Sequence, residues 1–114
     1  MTLALTSCEF PSALTKEGVE PYEALPVYPE FWSATEACSG RSGDVFLIRW
    51  FRATGISAGL GRSQGLWEPP HDITVLRGLE EDERTVRHEM LHDLLQGDPD
   101  HRSPTWEACG LAPQ

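Results

Sequence analysis

The run His88-Glu89-Met90-Leu91-His92 constrains this chain more than any other stretch. On an α-helix, residues four apart are neighbours on one face, with Cβ atoms about 5–6 Å apart, so both imidazoles can converge on one ion. Zinc is the simplest candidate. It takes Zn–N bonds of about 2.0–2.1 Å in tetrahedral geometry, and two histidines on a rigid rod fix two corners. Glu89 projects roughly 100° round the helix from His88. It flanks the metal rather than joining its ligands, where it can take a proton from bound water. This is the pattern of a zinc hydrolase, with His88 and His92 as metal ligands and Glu89 as the catalytic base. The competing reading is a solvated helix whose histidines match by coincidence.

The surrounding residues favour the helix. Val86, Met90 and Leu94 recur every four positions with Leu91 and Leu95 beside them, an apolar stripe suited to burial against a sheet. Glu80, Glu81, Asp82 and Glu83 crowd the N-terminal end, where negative charge suits the helix dipole, and Gly97-Asp98-Pro99 stops the helix.

A chain of 114 residues holds one core. The net charge of −9, with Lys16 the only lysine, argues against a nucleic-acid partner, since phosphate binding needs clustered Lys and Arg. No apolar run approaches the roughly 20 residues of a membrane helix. Three cysteines leave one over. Leu5-Thr6-Ser7-Cys8 resembles a bacterial lipobox, implying an exported chain tethered to a membrane through lipidated Cys8; an ordinary free or paired cysteine is the alternative. Cys38 and Cys109 then suit a disulfide that an exported setting favours, against the competing use of Cys109 as a zinc ligand.

Residues 1–29 read as an N-terminal arm. Pro11, Pro21, Pro26 and Pro29 mark 9–29 as an extended spacer, or as a strap packing across the domain through Tyr22, Leu25, Val27 and Tyr28. Residues 30–114 form the catalytic domain. A short helix is expected from Pro29 to Cys38, closed by Ser39-Gly40, with its aromatics in the core. Asp44–Arg52 is the clearest strand, apolar on both faces along Val45–Phe51 and so placed inside the sheet. Gly55, Gly59, Gly61 and Gly65 punctuate a loop. His71–Leu76 is a second strand, and Pro69-Pro70 ahead of it suits an edge position, from which a peptide can be held by main-chain hydrogen bonds. His71 is expected to be ordinary polar surface.

Catalytic zinc usually has three protein ligands and one open position. His101 is favoured as the third on ligand preference. Glu107 follows if Pro104–Ala108 forms a turn facing the ion. Asp98 stands where the longer motif His-Glu-x-x-His-x-x-Gly-x-x-His/Asp has its last ligand, but Leu95 replaces the glycine of that motif.

His88-Glu89-Met90-Leu91-His92, His101-Arg102-Ser103-Pro104, Cys109 and the upstream Cys38-Ser39-Gly40 together resemble the zincin metallopeptidases, in particular small secreted bacterial domains, over residues 28 to 110. The resemblance implies an α+β fold: a minimal zincin-like domain in which a small mixed sheet with edge strand Ile73–Leu76 lies above the active-site helix. It implies a zinc-dependent hydrolase acting on a peptide or protein substrate, with Glu89 activating the zinc-bound water and passing its proton to the leaving amine. A residue stabilising the tetrahedral intermediate is also implied, with Tyr22, Tyr28, His71 and Arg102 as candidates. Two alternatives stand beside the peptidase: a zinc-stabilised binding module without turnover, and an intracellular regulatory protein carrying the motif.

Overall fold

The computed structural model describes residues 14–58 and 61–113; Cys8 and the lipobox resemblance lie outside them. The chain enters through two short strands, β1 (Thr15–Glu17) and β2 (Glu20–Pro21), so the described part of the arm packs across the domain. Tyr22 follows, donating its backbone N–H to the Trp50 carbonyl at 3.0 Å. Helix α1 (Tyr28–Ser39) then starts with proline in its first turn, where the missing N–H removes no helical bond. It ends on Gly40, whose left-handed φ of 72° suits a residue without a Cβ. As expected, its aromatics are core: Tyr28 and Trp32 are buried.

The next segment departs from the expected strand. Val45–Leu47 is a 3-10 turn, because the Asp44 carboxylate accepts the Phe46 N–H and caps it. Phe46 and Leu47 consequently face solvent, 85% and 54% exposed. The strand begins later, as β3 (Arg49–Ala53), and does lie inside its sheet. The glycine-punctuated stretch is also not a loop. It forms β4 (Gly55–Ala58), β5 (Gly61–Arg62) and β6 (Gly65–Glu68), followed by β7 (Asp72–Leu76). Local propensity underestimated these strands, because their pairing partners are distant in sequence.

Two sheets result: β1-β4-β5, antiparallel, and the mixed sheet β2-β3-β7-β6. In the mixed sheet β3 and β7 run parallel, with Trp50 opposite Ile73 and Arg52 opposite Val75. The expectation that Ile73–Leu76 is the edge is thereby corrected: β7 is central, Ile73, Thr74 and Val75 are all buried, and the edges are β2 and β6. Pro69 and Pro70 sit in the β6–β7 turn, where no ladder hydrogen bond is lost.

Helix α2 (Glu83–Leu95) packs on β6 and β7. The Asp82 carboxylate accepts the Thr85 N–H at 3.0 Å and closes its first turn. The apolar stripe divides between the main core under the sheet and a smaller cluster beside it, with Leu94 packed against both. Val86 and Met90 join Tyr28, Trp32, Ile48, Trp50, Ile73 and Val75 under the sheet. Leu91 turns the other way and packs with Trp106, from the short helix α3 (Thr105–Ala108), and with Leu111. A Cys38–Cys109 disulfide ties α1 to α3. The domain is α+β, and among the described residues no helix is long and apolar enough to cross a membrane.

Candidate metal centre

The 96–101 loop after α2 folds back so that His101 reaches the helix. Gln96, Asp98 and His101 all adopt left-handed φ, of 54°, 63° and 57°, each a conformation costing about 1 kcal/mol for a residue with a Cβ. Asp98 offsets this cost by accepting the Arg102 and Ser103 N–H groups and the Trp106 indole N–H. Those three bonds hold its carboxyl at a pKa of about 2, the Ser103 N–H contributing most. Asp98 thus braces the loop, and its carboxylate is occupied there.

The outcome is a convergence of His88, His92 and His101. His88 Nδ1 lies 2.7 Å from the Leu111 carbonyl and His92 Nδ1 lies 2.9 Å from that of Gly97. A carbonyl only accepts, so both Nδ1 atoms carry the proton and both Nε2 atoms present lone pairs. Each of those Nε2 atoms is 3.1 Å from His101 Nε2. The edge of a zinc–imidazole tetrahedron, from its bond length, is about 3.3 Å. One N–H on His101 can serve only one of the facing lone pairs at a time, so the cluster is short of positive charge at its centre. The residues therefore fit a divalent cation.

Their surroundings keep the rings neutral. Trp106 packs against His88, His92 and His101 with ring centroids 4.7, 4.6 and 4.6 Å away. Burial pulls the His88 pKa down to about 4 and lowers His92 and His101 as well, leaving the imidazoles in the form that ligates metals.

Glu89 lines the same cavity of about 350 Å³ as the three imidazoles. It is 5% exposed, and loss of hydration raises its pKa to about 8. Its carboxylate lies against Gly65 of β6, where a Cβ would come within 2.9 Å of both Glu89 Cγ and Oε2. Gly65 is thus a component of the site that the sequence showed only as one glycine among four.

The residues around the centre extend what the sequence suggested. Asp93, 4% exposed, accepts the Trp67 indole N–H at 2.9 Å, and its Oδ1 lies 3.0 Å from His71 Nδ1. Trp67 in turn lies parallel to the His92 ring, centroids 6.5 Å apart. His71 is therefore more than surface: it helps anchor the wall of the cavity, although it does not line it. The helical turn carrying Glu107 does form, but it presents Trp106 to the imidazoles and leaves Glu107 exposed. Cys109 is held in the disulfide. Of the remaining candidates, the Tyr28 hydroxyl donates to the Glu80 carbonyl at 2.6 Å and pairs with Tyr22 at 2.8 Å in the main core, and Arg102 is exposed beside Asp100. None of the three lines the cavity beside Glu89.

No protein-family description, characterised protein or solved structure matches this chain.

Proposed function

We propose that this chain is a minimal zinc-dependent metallopeptidase of zincin type, hydrolysing peptide bonds in a cleft between α2 and the edge strand β6. The observation that carries the reading is the inward convergence of three Nε2 atoms, two of them fixed by carbonyl bonds at Nδ1, in one cavity with the Glu89 carboxyl. His88, His92 and His101 would hold a zinc ion, which would supply Lewis acidity toward a carbonyl and a bound water with a pKa near about 7.

The chain's own groups do the rest. Glu89, drawn to its carboxylate form by a neighbouring dication, takes a proton from water as the water oxygen bonds to the peptide carbonyl carbon. It returns that proton to the amide nitrogen as the C–N bond breaks. Leu111 and Gly97 hold the imidazole orientations through their carbonyls, which is how outer-shell acceptors ordinarily tune metal-binding histidines. Strand β6 is paired with β7 on one side only among the described residues, leaving its other edge for an extended peptide.

Glu89→Gln is the decisive test. The variant should bind one zinc per chain by native mass spectrometry yet lose peptide cleavage by about a thousand-fold or more, the scale expected for a missing general base on a hydrolytic water. Cleavage at the wild-type rate by the zinc-loaded variant would end the proposal.

A further inference from the structure

Beyond the Glu89 carboxyl, the cavity continues. A second arm of about 350 Å³ shares Ser63, Gly65, His88 and Glu89 with the first and runs on between β5 and the first turn of α2. The two arms differ in chemistry. The first is walled by Leu66, Trp67 and Pro99, the second by Arg62, Arg84, Gln64 and Thr85.

The arginines stand out against the charge of the chain. Acidic residues outnumber basic ones by 18 to 9. Lys16, Arg49, Arg52, Arg77, Arg87 and Arg102 each pair with a carboxylate. Among the described residues, Arg41, Arg62 and Arg84 have no carboxylate within 4 Å, and two of these three face the same arm of the cleft. Arg84 donates to the Ala112 carbonyl, which fixes its guanidinium without neutralising it. Glu89 lines this arm too, and the Asp82 carboxylate, bound by the Thr85 hydroxyl and N–H, lies close enough to Arg84 for the two charges to attract; neither Asp82 nor Glu17, which shares a smaller cavity with Arg62, comes within ion-pair distance of the two arginines. Two guanidinium groups that form no ion pair among the described residues, set in one concave wall, suit a carboxylate, since Arg N–H groups form charge-assisted bonds that a neutral amide cannot match.

We infer that the cleft is bipartite: the Arg62/Arg84 arm takes a carboxylate of the substrate, while the Leu66/Trp67/Pro99 arm takes an apolar side chain on the other side of the scissile bond. The substrate class is thus a peptide with an apolar residue next to an acidic one, or next to a free C-terminal carboxylate. This assignment rests on the peptidase reading for its biological sense, but its test does not depend on turnover.

The probes are fluorescein-labelled alanine hexapeptides carrying one Phe adjacent to Glu, Gln or Lys, in both orders, each with amidated and free C-termini. Binding is read by fluorescence anisotropy, with chelator-treated wild type and with zinc-loaded Glu89→Gln. Glu peptides should bind about ten-fold more tightly than Gln peptides, and Lys peptides more weakly still. If the free C-terminus rather than Glu confers the gain, the carboxylate is the main-chain one, and the assignment of the arm stands. Arg84→Gln and Arg62→Gln should each reduce the preference to a few-fold, and Arg62→Glu should turn it toward Lys. Because Arg84 also holds Ala112, the exposed Arg62 carries the test if the Arg84 variant unfolds. Equal binding of Glu, Gln and Lys peptides with no gain from a free C-terminus, no binding at all, or a carboxylate preference that survives both Gln substitutions would overturn the inference. Hydrolysis of peptides without such a preference would sink this inference and leave the peptidase intact; the preference without hydrolysis would do the reverse.

Discussion

The Cys38–Cys109 disulfide is where stability and the candidate metal centre meet, so breaking it tests both. The bridge links residues 71 positions apart. Removing it from the unfolded chain's constraints, by the loop-entropy relation, costs about 4 kcal/mol. With a denaturant slope of about 1–2 kcal/mol per molar urea for a domain of this size, the urea midpoint of the chelator-treated chain should fall by about 2–4 M in Cys38→Ser/Cys109→Ser. The effect should reach the metal centre because α3 is attached to the body of the domain through this bridge, and α3 carries Trp106, which packs on all three imidazoles and binds Asp98 of the His101 loop. Loosening α3 therefore frees His101 more than His88 and His92, which belong to α2. Zinc affinity, measured by competition with a chromophoric chelator, should drop at least ten-fold in the variant while binding of one ion persists. Urea midpoints that coincide within about 0.3 M with and without the bridge, or unchanged zinc affinity in a destabilised variant, would refute this coupling.

Gly65→Ala places a methyl group 2.9 Å from Glu89 Cγ and Oε2; peptide turnover should fall at least ten-fold with zinc stoichiometry unchanged by native mass spectrometry. Zinc at a thousand times its dissociation constant should stabilise the chain by about 4 kcal/mol in thermal unfolding, and His101→Ala should remove most of that gain. Stability of the metal-free chain should peak near neutral pH. The histidine pKa values are lowered by burial, that of His88 to about 4, so the unfolded chain binds protons first and stability is lost as pH falls below about 6.5. Glu89 has the opposite sign: its pKa is raised to about 8, so its contribution is full below about 4.5 and lost as pH rises toward 8. Differential scanning fluorimetry across pH 4–9 should show both limbs, and Glu89→Gln should flatten the alkaline one and steepen the acid one above about pH 4.5.

Where the sequence was informative, it was so because the relevant contacts are local. The α2 helix, its acidic start and the adjacency of His88 and His92 follow from a 3.6-residue repeat, and α1 follows from a proline at its start and a glycine at its end. The sheet did not, because strand order depends on partners far along the chain. Asp44 diverted Val45–Leu47 into a turn, three short strands formed in a glycine-rich stretch, and β7 took the centre of the sheet while β6 took an edge.

The candidate metal centre divides along the same line. Two of its imidazoles, and the carboxyl beside them, were legible as a five-residue word. The approach of His101 to those rings was decided only by a left-handed loop braced by Asp98 and by Trp106 beneath it. Gly65 and the Arg62/Arg84 wall belong to two strands and the start of a helix that are separate in the sequence and meet only in the fold. A helix sets the spacing of its own side chains through its backbone hydrogen bonds, whereas a cleft between elements exists only once the buried faces on either side have found each other.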